Sequence, residues 1–156
     1  MKKFLVDTML GRLAKELRML GYDTLYYRGG NPQELIELAR QQERIILTRS
    51  TTLNPPTEEV RIIPVLQNNP VLQLKELLDQ AIIVLNNGIL FTRCLLCNSP
   101  LDQITREDAE GKVPDFIFYQ QKEFYRCPQC HKIYWPGSHQ ERMQKRIEQL
   151  FRTQGT

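Results

Sequence analysis

A chain of 156 residues holds one modest hydrophobic core plus a small module, and little more. No apolar run approaches the ~20 residues that a membrane-spanning helix needs, and Met1 to Asp7 has neither the apolar segment nor the small-residue cleavage site of a secretory leader. A membrane-spanning helix is therefore excluded and a cytoplasmic location expected. The net charge of +3 is mild, so its distribution carries more information than its size.

Lys3 to Asp7 reads as a short buried strand that ends in a carboxylate. Thr8 to Leu20 is predicted to be a helix, because Leu10, Leu13, Leu17 and Leu20 recur at helical spacing and Gly21 supplies a stop. Arg12, Lys15 and Arg18 line its other face at three-residue intervals. Asp23 to Tyr27 is a second strand. Asn31 then caps a second helix that has Pro32 at its first position. Ile45 to Thr48 forms a third strand running into Arg49 and Ser50, and the Pro55-Pro56 pair interrupts regular structure beyond it. Val60 to Leu66 is a fourth strand in which Pro64 points to a sheet edge or a strand end, and Leu72 to Leu85 is a third helix. Strands alternating with helices predict a mostly parallel sheet flanked by helices. Ligands of such sheets gather beyond the carboxyl ends of the strands, where Asp7 and Ser50 fall.

All four cysteines lie in two pairs, Cys94-x-x-Cys97 and Cys127-x-x-Cys130, with twenty-nine residues between the pairs. Two such pairs supply a tetrahedron of sulfur ligands, the spacing of a zinc ribbon, and four thiolates leave no open position for a catalytic water. The expected ion is structural Zn²⁺; iron–sulfur and redox roles are the lesser alternatives. His131 and His139 are not needed as ligands. Between the pairs a polar hairpin or loop is expected, together with an aromatic run of Phe116, Phe118, Tyr119, Phe124 and Tyr125. Tyr134 and Trp135 suit stacking on bases, covering the small ribbon core, or docking the ribbon on the neighbouring domain, and docking is the use expected. Ser138 to Glu141 reads as a capping box opening a last helix to Phe151. From Arg126 to Arg152 there are six basic and two acidic residues, a balance that suits either a phosphate backbone or a solvated helix face. The division expected is an α/β domain over residues 1–90 and a ribbon with a basic helix over 91–156.

Asp7 is the leading candidate for chemistry, since a carboxylate closing a buried strand can hold a divalent ion. The same position also suits a cap for the following helix. Glu34 is either an acidic group of the site or the capping-box partner of Asn31. Arg12, Lys15, Arg18, Arg28 and Arg49 are candidates to steer and hold phosphates, against ordinary solvation.

The run Phe4-Leu5-Val6-Asp7-Thr8-Met9-Leu10-Gly11-Arg12-Leu13-Ala14-Lys15-Glu16-Leu17-Arg18-Met19-Leu20-Gly21-Tyr22-Asp23-Thr24 resembles the opening signature of the Mut7-C family. Ile46-Leu47-Thr48-Arg49 is similar to its third-strand motif. Cys94-x-x-Cys97-Asn98-x-Pro100-Leu101 and Cys127-Pro128-x-Cys130, continuing to Trp135-Pro136-Gly137, resemble its zinc-ribbon half. The resemblance covers nearly the whole chain. It implies a PIN-like domain acting as a metal-dependent ribonuclease, fused to a zinc ribbon, with RNA as partner. Asp7 matches the first acidic position. Ser50 stands where the family usually has an aspartate, and Gly29-Gly30-Asn31-Pro32 stands where acids commonly precede the second helix, so the acidic site is partly degenerate. On this resemblance Asp7 is the principal ligand for Mg²⁺ or Mn²⁺, Ser50 and Asn31 or Glu34 complete a weakened site, and Arg49 contacts phosphate. The alternative is a non-catalytic protein that binds RNA or a ribonucleoprotein.

Overall fold

Four short strands organise the amino-terminal part of the chain: β1 (Phe4–Val6), β2 (Thr24–Tyr26), β3 (Ile45–Thr48) and β4 (Ile62–Pro64). They pair in parallel in the order β2-β1-β3-β4. β1 is central and wholly buried, which its uninterrupted apolar sequence allows because helices cover both faces of a parallel sheet. The computed structural model describes residues 1–54, 58–86, 88–137, 141, 144–146, 148 and 149. The chain divides into two compact units, residues 1–98 and 99–156.

Three helices serve the sheet: α1 (Gly11–Met19), α2 (Pro32–Gln42) and α3 (Pro70–Asp79). The chain steps from β1 outward to β2, then returns past β1 to β3. Right-handed crossovers in opposite directions place α1 and α2 on opposite faces. Leu35 and Ala39 of α2 accordingly pack with Leu5, Ile46, Tyr27 and Val60, while α1 lies against α3 and brings Leu13 and Leu17 into the core. The α/β architecture expected from the alternation of elements is the one observed.

The boundaries depart from the sequence pattern for local reasons. α1 starts at Gly11 rather than Thr8 because Met9 has φ 75°, which interrupts the helical path, and Leu10 at the cap offers no side-chain acceptor. Gly21 stops α1 as expected: its φ is +95°, and a Cβ there would lie 2.2 Å from the Ile89 carbonyl oxygen. α3 is displaced toward the amino terminus because Asn69 caps it through the Val71 N–H and Pro70 takes its first position. It ends before Ala81, whose φ is 57°. β4 occupies the sheet edge, where Pro64 is tolerated.

The second unit is a three-stranded antiparallel sheet of β5 (Asp102–Ile104), β6 (Phe124–Arg126) and β7 (Ile133–Tyr134) in the order β5-β6-β7. Between β5 and β6, in place of the hairpin or loop that the polar sequence suggests, run two short helices, α4 (Arg106–Ala109) and α5 (Asp115–Gln120). Thr105 caps α4 through the Asp108 N–H, and α5 sends Phe118 to stack on the fully buried Phe124. Ala109, Val113 and Phe124 form the small core, with Trp135 and Ile133 packed against it. Trp135 therefore serves the ribbon interior. The helix expected from Ser138 to Phe151 falls in large part on residues outside those described.

The end of α2 yields a stability prediction. Glu43 sits in the left-handed region, with φ 54° and ψ 50°, as its N–H reaches the Ala39 and Arg40 carbonyls. A side chain there costs about 1 kcal/mol relative to glycine. Glu43→Gly is expected to stabilise the protein by about 0.5–1 kcal/mol, read as a raised urea midpoint at unchanged m-value.

Candidate functional site

Asp7 is the first residue beyond β1, at the point where the strand order reverses between β1 and β3. Crevices at such points receive ligands in open parallel sheets. Its N–H donates to the Leu47 carbonyl at 2.9 Å, continuing the ladder one residue past the strand. The carboxylate does not cap α1. Its Oδ1 accepts from the Thr8 N–H at 2.8 Å and from the Thr8 hydroxyl at 3.5 Å, and its Oδ2 accepts from the Thr48 hydroxyl at 2.8 Å. Oδ2 thus keeps lone-pair capacity. All three donors are neutral, and among the described residues no lysine or arginine pairs with Asp7.

Thr48 also accepts the Ser50 N–H at 3.1 Å, so a hydrogen-bonded path leads from Ser50 through Thr48 to Asp7. The Ser50 hydroxyl itself is engaged locally with Thr52. On the other side, Tyr27 donates to the Glu34 carboxylate at 2.9 Å. Burial pushes the Tyr27 phenol above its usual range, and the Glu34 hydrogen bond and the charges of Glu34 and Asp7 add to the rise. Glu34 is therefore not bonded back to Asn31 as in a capping box: the Asn31 N–H donates to the Tyr27 oxygen instead. The Asn31 side-chain oxygen accepts from the Gln33 and Glu34 N–H groups. Thr48 and Tyr27 do not stand out in the sequence, yet both close a strand as Asp7 does, and the same strand-end argument applies to them.

The cationic candidates separate into two groups. Arg49 clamps the segment after β4: its guanidinium donates to the Val65 and Gln67 carbonyls and, at 2.7 Å, to Asn68 Oδ1. Arg12, Lys15 and Arg18 instead line one cavity of about 380 Å³, together with Arg28 and Tyr26. Arg18 is buried there, with Nε on the Thr24 carbonyl at 2.9 Å and Nη1 on the Leu95 carbonyl at 2.6 Å.

The Sγ atoms of Cys94, Cys97, Cys127 and Cys130 lie within 4.8 Å of one another. A tetrahedral ion with sulfur ligands at about 2.3 Å would space them by ~3.8 Å, so the cluster suits a metal. The two pairs repeat one local design. Asn98 and His131 follow them in left-handed conformation, at φ 69° and 66°. The Asn98 N–H donates to the Cys94 carbonyl at 2.9 Å, and the His131 N–H to the Cys127 carbonyl at 3.0 Å. Backbone N–H groups also point at sulfur, from Cys97 to Cys94 and from Cys130 to Cys127. Such donors stabilise thiolate charge, which is the state a metal requires.

The first knuckle is tied to the edge of β2. Asn98 Oδ1 accepts the Thr24 N–H at 2.9 Å, and its Nδ2 donates to Asp23 Oδ1 at 2.6 Å. Arg44 pairs with the same Asp23 oxygen at 2.8 Å, and Arg93 donates to the Gly21 and Asn98 carbonyls.

Fold and site together define a mixed α/β protein with a carboxylate at the switch point of its sheet and a separate four-cysteine cluster. The chain belongs to the Mut7-C family: the model described as Mut7-C RNAse domain matches residues 2–147. No curated protein and no solved structure matches it significantly. Among the described residues no helix is long and apolar enough to cross a membrane.

The Asp23 node sets an acid limit. Burial raises the Asp23 pKa, but the hydrogen bonds from Arg44 and Asn98 and the charges of Arg44 and Arg93 outweigh it and hold the group below its ordinary value. A depressed carboxyl pKa contributes stability that is complete above the unfolded value and is lost as pH falls through the folded one. The contribution should thus disappear below about pH 4. Asp23→Asn is expected to lower stability at pH 7 and to flatten the loss between about pH 4 and about pH 2, measured by urea melts across that range.

Proposed function

We propose that the chain is a divalent-metal-dependent ribonuclease with a PIN-like α/β domain, and that its four cysteines hold a structural Zn²⁺. The observation that carries the reading is the setting of Asp7: a carboxylate at the switch point, held only by neutral donors from Thr8 and Thr48, with no basic partner among the described residues. Such a group attracts a cation, and membership of the RNAse-domain family supports Mg²⁺ or Mn²⁺ with RNA as substrate. Bound there, the ion would orient a phosphodiester, lower the pKa of an attacking water and stabilise the leaving oxygen. The chain's own residues hold this arrangement in register. Thr48 and the Thr8 N–H orient the carboxylate. Tyr27 fixes Glu34, whose charge already acts with that of Asp7 on the phenol. Ser50 offers a neutral oxygen beside Thr48 in place of an acid.

One observation favours a second reading, a non-catalytic protein that binds RNA or a ribonucleoprotein. Among the described residues, the cysteines are the one grouping of three or more His, Cys, Asp or Glu whose ligand atoms converge on a common ion. Asp7 has no comparable set of acids around it, and Mg²⁺ held by few carboxylates relies on substrate phosphates for the rest of its shell.

Cleavage of labelled single-stranded and structured RNA, with Mn²⁺ or Mg²⁺ against EDTA, separates the two. The nuclease reading expects metal-dependent cutting that falls about 10²-fold or more in Asp7→Asn, the rate equivalent of several kcal/mol of charge stabilisation. It also expects faster cutting in Ser50→Asp. Wild type that binds RNA without cutting, with activity appearing only in Ser50→Asp, establishes the binding protein.

For the cysteine cluster, Cys97→Ser is expected to lose about one zinc per chain by elemental analysis. It should unfold the ribbon, since structural zinc contributes ~10–16 kcal/mol of binding free energy to comparable peptides. Helical far-UV signal from the sheet unit should survive. Retention of the metal in Cys97→Ser would remove the four-thiolate assignment.

A further inference from the structure

The cavity beside α1 has a composition that the Asp7 site does not explain. Four cationic side chains and no acidic one line its roughly 380 Å³. That volume lies within the range of small-ligand pockets. Arg12, Lys15 and Arg28 form no ion pair among the described residues. Three like charges facing one space repel one another, and an anion relieves that repulsion. Part of the lining is apolar. It is made by Leu95 and Leu96, the two residues between Cys94 and Cys97, and Leu96 is 56 % exposed although it borders a pocket. Tyr26 completes the lining, with the Arg28 guanidinium 5.2 Å from its ring centre. The pocket is rigid where it needs to be. Gly11 gives the Tyr26 ring its place, since a Cβ there would approach the ring to 3.2 Å. Arg18 pins the leucine wall through the Leu95 carbonyl.

We propose that this pocket binds one unpaired nucleotide of the RNA strand, its phosphate on Arg12, Lys15 and Arg28 and its base against Leu95, Leu96 and Tyr26. Ammonium and guanidinium groups together with an apolar lining in one pocket match a nucleotide, which carries a phosphate at one end and a stacking surface at the other. Duplex RNA presents its bases already stacked and is excluded from such a pocket. Tyr26 lies opposite Val6 in the β1–β2 register, one residue from Asp7, so a strand seated here runs on toward the carboxylate. The pocket thereby selects single-stranded RNA and sets where the strand meets Asp7. This assignment rests on RNA being the substrate. It adds that the first cysteine knuckle is a wall of the binding site as well as a metal ligand pair.

The test is fluorescence anisotropy with a short labelled oligouridylate, using the full zinc-containing chain without added Mg²⁺ or Mn²⁺. Arg28→Ala is expected to weaken binding about 10-fold and to make the slope of log K against log salt shallower by about 0.7, the value for one phosphate contact on a single strand. Leu96→Asp, at an exposed position and with its zinc content verified, should weaken it further, and Leu96→Ala should weaken it with the salt slope unchanged. Uridine monophosphate should displace the probe at lower concentration than inorganic phosphate, and a matching duplex should compete poorly. Wild type that binds the probe while Arg28→Ala and Leu96→Asp bind it equally well, or displacement by phosphate as effective as by the nucleotide, overturns the pocket and leaves the RNA reading standing. Absence of binding to any RNA by wild type overturns both.

Discussion

Asn98 does more to hold the amino-terminal unit together than its place after a cysteine pair suggests. β2 is an edge strand, and an edge presents unpaired N–H and carbonyl groups that need cover. The buried Thr24 N–H finds its acceptor in the Asn98 amide, and the other end of that amide meets Asp23, which Arg44 also holds. A buried donor left without a partner costs ~1–3 kcal/mol, so the knuckle is part of the sheet's stability. Arg44 extends the same node to the Phe4 carbonyl, and Arg18 links the Thr24 and Leu95 carbonyls. The first cysteine pair and the central strand that leads to Asp7 are thereby connected through a short series of hydrogen bonds.

This connection gives the cysteine pair two consequences from one geometry. A tetrahedral site demands a tight turn, which the left-handed Asn98 completes. The turn pushes the intervening Leu95 and Leu96 outward, where they border the cationic cavity. The cysteine knuckle therefore borders the surface beside α1 as well as the cysteine cluster. Charge is likewise sorted around the sheet. Asp7 stands without a basic partner among the described residues, while Arg12, Lys15 and Arg28 border one cavity without an ion-pair partner. Pairing these groups with one another would lower the electrostatic energy of the empty protein. Their separation keeps an acidic group and a basic cluster at different places in the fold.

Much of this was legible in the sequence. Apolar periodicity placed α1, α2 and the strands; Asn31-Pro32 marked the start of α2; Pro64 marked an edge; and the two Cys-x-x-Cys pairs announced a common ligand set. These features depend on residues within one or two turns of each other, where backbone preference and hydrophobic spacing decide the outcome. Helix boundaries shifted where a single dihedral intervened, as Met9 does before α1, because no local pattern signals a positive φ at a methionine. The short helices between β5 and β6 escape a sequence reading because each is under two turns long, too short for a period to show.

What only the tertiary structure decided is which groups meet. Thr48 reaches Asp7 from 41 residues away because the crossover returns β3 to the flank of β1. Arg18, which sequence spacing places beside Arg12 and Lys15 on one face, is drawn inward by a carbonyl 77 residues on. Arg49, beside Ser50 at a strand end, commits its guanidinium to the loop after β4. The sequence by itself determined the strands and helices of the sheet unit, the pairing of the cysteines and a lone acid at the end of the first strand, since each is a local property of the chain. The partners of that acid and the walls of the cationic pocket arise from strand order and crossover hand, which act between segments far apart in sequence and leave no local trace.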